Sequence, residues 1–151
     1  MLPFQVVLDE HGPGLYRHLA GLLGPHDGAD CYQETILAAL RAWPPRNDDN
    51  LRGWLFTIAH RKVIDLGRAN GRRPIPLESL PERHGAVLER DLDSDVWAAV
   101  RSLPHKQQVA VALRHGEDWG YEEIAAVLEC SAAAARQNVK AGLDRLKEVL
   151  A

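Results

Sequence analysis

The sequence predicts an all-α chain of two small helical domains joined by an acidic, proline-containing linker, and three observations carry that prediction. Apolar residues recur at helical spacing through most of the chain, while sustained strand-type alternation is missing and β-branched residues are sparse. Prolines and acids crowd one middle stretch, where Pro74, Pro76 and Pro81 are followed by Glu82, Glu89, Asp91, Asp93 and Asp95. A structureless run of that length is uncommon inside one compact domain. The expected boundaries are therefore 1–73 for the first domain, 74–94 for the linker and 95–151 for the second.

The elements follow in order. Leu15, Leu19, Leu22 and Leu23 lie at i, i+4, i+7 and i+8, and Gly24-Pro25 breaks that first helix. A second helix is expected from about Ala29, with Ile36, Leu37 and Leu40 on one side, until Pro44-Pro45 stops it. Arg46 to Asn50 reads as a polar loop. A third helix starts near Leu51 and aligns Leu55, Ile58, Ala59, Val63 and Leu66 before Gly67 and Gly71 end it. Beyond the linker, Ser94 and Asp95 are placed to cap a helix from Val96 to Ser102. Three more helical segments are expected over His105 to His115, Tyr121 to Leu128 and Ala132 to Leu150.

Composition excludes several function classes. The hydrophobic fraction of 46% suffices to fill one core or two modest ones. No run reaches the ~18 apolar residues of a membrane helix, and Met1 to Glu10 lacks the pattern of a signal peptide, so a cytoplasmic protein without membrane insertion is expected. Cys31 and Cys130 form no CxxC and the seven histidines show no paired ligand spacing, which argues against a metal, a cofactor or a disulfide framework. No nucleophile motif, P-loop or dinucleotide fingerprint is present, so neither an enzyme nor a small-molecule substrate is expected.

The net charge of −3 is distributed in segments. Between Leu51 and Arg73, six bases (Arg52, Arg61, Lys62, Arg68, Arg72 and Arg73) face one acid, Asp65. The linker reverses the sign, and Ser131 to Ala151 returns to an excess of bases. A clustered cation track suits phosphate contact, although a solvated basic helix face fits the same residues. The linker acids are expected to fold onto these basic surfaces and mask them.

The stretch from Gly120 to Lys140 carries the most information. Tyr121, Ile124, Ala125 and Leu128 define the buried face of a short helix, Glu129 to Ser131 make a tight connection, and Ser131 caps the next helix. That helix is expected to bury Ala135, Val139, Leu143, Leu146 and Leu150, leaving Arg136, Gln137, Lys140 and Lys147 outward. Small Ala125 allows the close, steep crossing of a helix-turn-helix, whose second helix enters the major groove with its N-terminal residues on base edges. Arg136 then suits guanine, Gln137 or Asn138 adenine, and Lys140 a phosphate. From spacing alone, a plain helical hairpin with a solvated polar face fits equally well.

These segments resemble a known family. Tyr121-Glu-Glu-Ile-Ala-Ala-Val-Leu, Cys130-Ser and the closing Arg145-Leu-Lys-Glu-Val-Leu resemble region 4 of the extracytoplasmic-function (ECF) sigma factors of bacterial RNA polymerase, in the sigma-70 family. Ala29-Asp-Cys-Tyr-Gln-Glu-Thr-Ile-Leu37 resembles region 2.2, and Trp54-Leu-Phe-Thr-Ile-Ala-His-Arg-Lys-Val-Ile-Asp65 is similar to regions 2.3 and 2.4. The resemblance implies a transcription initiation factor that binds core RNA polymerase and promoter DNA, with an anti-sigma protein as a further partner. It puts Asp30, Gln33 and Glu34 on the polymerase side, and Asn50, Arg52, Arg61, Lys62, Arg68, Arg72 and Arg73 on the minus-10 side. Arg136, Gln137, Asn138 and Lys140 fall on the minus-35 side. The alternatives are a sigma-like regulator, or a docking module for polymerase or an anti-sigma protein, without initiation activity.

The sequence also departs from that pattern. Glu129 stands at a turn position where the family has Gly, and Arg61 where it has Asn. Ala132 to Ala135 replaces a Val-Gly-Thr-Val type of entry, while Ala141 and Leu143 stand where arginines are common.

Overall fold

A computed structural model describes residues 3–47, 49–69 and 95–150, with the side chains of 68 and 69 left out of the description. Seven α-helices and no strand occur among the described residues. We number them α1 (Phe4–Leu23), α2 (Pro25–Arg41), α3 (Leu51–Ala69), α4 (Asp95–Arg101), α5 (His105–Val111), α6 (Tyr121–Leu128) and α7 (Ala132–Leu150). The linker expected at 74–94 lies outside the described residues, as does Ser94, expected to cap α4.

Helix α1 begins about a dozen residues before its leucine pattern. The helix runs through Gly12, Pro13 and Gly14, and Val7 and Gly12 are buried along with Leu15 and Leu19. A side chain at Gly12 would meet the Tyr32 hydroxyl at 2.9 Å, so the glycine serves the crossing of α1 with α2. Gly24 (φ 88°) turns the chain with a single residue, and its N–H donates to the Ala20 carbonyl. Pro25 is the first residue of α2, where a missing N–H costs nothing.

The buried face of α2 differs from the expected one. Gly28, Cys31, Thr35 and Ala39 are buried, while Leu37 and Leu40 are 50% and 53% exposed. A Cβ at Gly28 would lie 2.5 Å from the Ala20 Cα, so the two backbones approach too closely for leucines between them. The small residues therefore face inward and the large ones outward. Ile36 and Leu37 line a surface groove with Leu8, Tyr32 and Gln33.

Asn50 starts α3, its Oδ1 accepting the Gly53 N–H at 2.9 Å. The helix buries Leu55, Phe56, Ala59 and Val63, with Phe56 rather than Ile58 completing the inner face. Trp54 is half-buried against Trp43 (5.8 Å), which in turn packs on Phe4 (5.5 Å).

In the second half, α5 ends in a wider turn over Ala112–Gly116, short of the regular helix expected to His115. Gly142 lets α7 cross α5 closely, since a Cβ there would sit 2.6 Å from Val111 Cγ2. Ser131 caps α7, its Oγ accepting the Ala134 N–H at 3.0 Å. The stripe on α7 buries Ala135, Val139, Gly142 and Leu146, with Leu143 half-buried. Leu150, expected inside, is 43% exposed, with nothing among the described residues covering the last turn.

The two halves share one apolar core rather than two. Phe56 of α3 packs on Trp119 at 4.8 Å, and Trp97 of α4 fills the space above Gly21 of α1. Around this seam, Arg101 donates to the Gly21 carbonyl (2.9 Å), Arg17 makes a two-pronged contact with Glu117 (2.9 and 3.0 Å), and His60 stacks on His105 at 5.1 Å.

Candidate nucleic-acid interface

The turn between α6 and α7 sets the helix-turn-helix geometry. Glu129 adopts the left-handed conformation (φ 57°, ψ 48°), and the Cys130 N–H donates to the Ala125 carbonyl at 3.0 Å. The turn expected from the family's glycine is thus kept by a glutamate, at a cost of about 1 kcal/mol. Ile124, Ala125, Val127 and Leu128 are buried against α7, which fixes the angle of the second helix.

Arg136, Gln137 and Lys140 are exposed on the N-terminal half of α7, the position a groove-reading helix requires. The Arg136 guanidinium lies 4.9 Å from the Tyr121 ring centroid, and Arg114 lies over the same ring at 4.4 Å. Arg114 also donates to the Trp119 carbonyl at 2.9 Å. Tyr121 thus gathers two guanidiniums at the start of α6, and cation–π attraction holds them there. Asn138 instead donates its amide to the Ala134 carbonyl of its own helix (3.1 Å), and Lys140 pairs with Asp144 at 3.1 Å.

The basic residues of the first half divide. Arg52 is half-buried, its guanidinium 4.4 Å from the Trp119 ring and hydrogen-bonded to Glu123. Burial alone would raise the Glu123 carboxyl, but the hydrogen bond from Arg52, the Gly120 N–H and the arginine charge together hold it below the usual glutamate value. Arg61 is exposed and lies 3.8 Å from Glu129. Lys62 is half-buried on α3, and Asn50 is committed to capping. Arg72, Arg73 and the Arg68 side chain lie outside the described residues.

Asp30, Gln33 and Glu34 are exposed on α2, beside Leu37 and the groove it lines. Cys31 on the inner face of α2 is buried, and its thiol is pushed up to about 11, chiefly by desolvation. At the seam between the halves, desolvation lowers His18 to about 3 and His60 to about 4, the latter also by the charge of His105. His105 is lowered by burial and then by Lys106.

The sequence reading missed Trp119, Arg114, Glu117 and Glu123. Trp119, Glu117 and Glu123 meet Phe56, Arg17 and Arg52 only when the halves dock, whereas Arg114 is held within its own half by the Trp119 carbonyl and the Tyr121 ring. The one local signal was the run Leu113-Arg114 to Trp119-Gly120, which combines a cation, two acids and an aromatic just ahead of the motif.

A helical unit with a basic third helix, followed by a helix-turn-helix unit with an exposed recognition helix, defines a DNA-binding protein of the two-unit, all-α class. Residues 7–73 match the family described as Sigma-70 region 2, and residues 94–146 match Sigma-70, region 4. The chain belongs to the sigma-70 family, in its ECF group. It is 32% identical over 94% of its length to the ECF RNA polymerase sigma factor SigE of Mycolicibacterium smegmatis, and spans 59% of that protein. It is 28% identical to the ECF RNA polymerase sigma-E factor of Escherichia coli K12, over 75% of this chain and 68% of that one. Among solved structures, it is similar to the sigma factor RpoE in complex with the anti-sigma factor NepR from Bartonella quintana. That match has a TM-score of 0.78 and 25% identity, covering 97% of this chain and 96% of the other. CnrH in complex with the cytosolic domain of CnrY is similar at a TM-score of 0.71 and 26% identity, over 97% and 86% of the chains. No helix among the described residues is long and apolar enough to cross a membrane.

Proposed function

We propose that the chain is a transcription initiation factor that binds core RNA polymerase, directs it to promoters and assists their opening. The observation that carries this reading is the order of the two matched regions on one chain, region 2 over 7–73 and region 4 over 94–146. The first domain, 1–73, takes polymerase and the minus-10 element, the linker spans 74–94, and the second domain, 95–151, takes the minus-35 element.

On α2, Asp30, Gln33 and Glu34 present acids and an amide to polymerase arginines, and the groove lined by Leu8, Tyr32, Ile36 and Leu37 receives an apolar side chain. Arg61 and Lys62, with Arg68, Arg72 and Arg73, supply cations for the minus-10 phosphates, and Asn50 and Arg52 flank that site. Arg136 and Gln137 read base edges at minus-35, Lys140 grips a phosphate, and Asn138 contributes once its amide leaves Ala134. The protein acts in the cytoplasm as a non-enzymatic factor. An anti-sigma protein competes for the α2 surface; the similarity to the sigma factor RpoE, solved with the anti-sigma factor NepR, supports this.

Run-off transcription with core polymerase on a genomic promoter library tests the proposal. Discrete transcripts that depend on the chain and share upstream elements are expected. Stable binding to core polymerase without promoter-specific transcripts would replace it with a docking module.

A further inference from the structure

Of the four residues assigned to the minus-35 element, only Arg136 is held in place with its donors unspent. Lys140 is paired with Asp144 at 3.1 Å, and the Asn138 amide donates to the Ala134 carbonyl at 3.1 Å. Gln137 is exposed and has no partner among the described residues. The Arg136 guanidinium lies over the Tyr121 ring, 4.9 Å from its centroid, and among the described residues no hydrogen bond or ion pair engages its N–H groups. A guanidinium on an aromatic face is attracted through its charge and its flat side, which leaves the N–H edge free for a planar acceptor.

The ring is itself fixed from the core. Arg114 lies over it at 4.4 Å and donates to the Trp119 carbonyl at 2.9 Å, and Trp119 is 1% exposed. The wider turn over Ala112–Gly116 brings Arg114 beside Tyr121, the first residue of α6. A chain of contacts thus runs from buried Trp119 through Arg114 and Tyr121 to Arg136 on the first half of α7. Two like charges share one ring, and the bond to Trp119 ties down only Arg114. Arg136 is the one whose outer edge stands in solvent.

We propose that Tyr121 is the positioning residue for base reading: its ring holds Arg136 so that the guanidinium presents two N–H groups to N7 and O6 of one guanine in the minus-35 element. The inference rests on the reading of Arg136 as a base contact. A free arginine side chain gives up much of its rotamer freedom in a bidentate contact, and one already confined by a ring gives up less. An exposed cation–π contact supplies about twofold to fivefold in this way. The gain falls only on the base pair that Arg136 reads, because a lost phosphate contact or a loosened helix-turn-helix would act on every sequence alike.

The test uses a promoter recovered by run-off transcription, randomised over its upstream element and transcribed by core polymerase carrying the full chain. Transcript abundance then gives the preference at each base pair. Arg136→Ala should flatten the preference for guanine at one position. Tyr121→Leu should flatten that same position about twofold to fivefold and leave the others unchanged. Tyr121→Phe should retain the preference, and Tyr121→Trp, with the stronger aromatic face, should sharpen it. On an Arg136→Ala background, none of the three replacements should have a further effect there. A preference that does not rise in the order Leu, Phe, Trp overturns the proposal, and so does a loss spread evenly over the element. If the leucine variant fails to fold, the comparison of Phe with Trp still decides. The failures are distinguishable: an effect of Arg136→Ala without any effect of Tyr121 removes the positioning alone. A preference unchanged by Arg136→Ala removes the base contact and the proposal with it, and absence of transcripts with the unaltered chain removes the proposed function.

Discussion

Acidification should destabilise this chain through a buried histidine of α1. His18 is 5% exposed, packs against Phe56 and has no hydrogen-bond partner for its Nδ1 among the described residues. Desolvation, followed by the charge of His60, lowers its folded pKa to about 3, against 6.5 when unfolded. Because the folded value is the lower one, the unfolded chain binds the extra proton throughout that interval. Stability is therefore complete above 6.5 and falls as the pH drops below it, until the loss saturates near the folded value. Going from about pH 7.5 to about pH 5 should cost about 2 kcal/mol for this one group. His60, lowered to about 4 and only partly buried, adds a smaller amount in the same direction. Urea unfolding at the two pH values, compared between the unaltered chain and His18→Leu, isolates the contribution. The leucine variant should lose about 2 kcal/mol less on acidification, whatever its stability at neutral pH. Equal losses in the two proteins would refute the assignment of His18 as a buried neutral base.

Further outcomes are expected. Gly28→Ala should destabilise by about 1–3 kcal/mol in thermal unfolding, since its methyl would meet the Ala20 backbone at 2.5 Å and push α1 from α2. Asn50→Ala should cost about 1 kcal/mol through loss of the α3 cap, whereas Asn50→Asp should retain it; a minus-10 defect shared by both variants then reports a DNA role separate from capping. Arg136→Ala should weaken binding to a cognate minus-35 duplex by about 1–3 kcal/mol and relax its sequence preference, measured by fluorescence anisotropy across single-base variants. Lys140→Ala should weaken all sequences alike and reduce the slope of log affinity against log salt by about one.

How much of this was legible in the sequence depended on whether the cause was local. The α6–α7 motif was readable because its turn, its Ser131 cap and its buried face all lie within some twenty residues. Glu129 stood out only against the resemblance, as a glutamate where the family has Gly, and its backbone is left-handed. The periodicity on α2 was real but pointed the wrong way. Burial is set there by how closely Gly28 lets α1 approach, which hydrophobicity does not encode. In α1, Gly12 and Pro13 carried a local breaker signal that helix packing overrode. The contacts of Arg52, Arg61 and Trp119 were out of reach, since each joins residues about 65 or more apart through the docking of two units.

The tryptophans are sorted by this docking. Trp43 and Trp54 pack on each other within the first unit. Trp97 and Trp119 belong to the second, yet both sit at the seam, one over Gly21 and the other, 1% exposed, between Phe56 and Arg52. Separation of the units therefore brings two of the four indoles of the chain into water and leaves the other two in place. The protein carries a built-in optical gauge: a red shift and a change in intensity accompany opening without any label. A titration with polymerase, DNA or acid can be followed in a cuvette, with the Trp97→Phe/Trp119→Phe variant as the silent control.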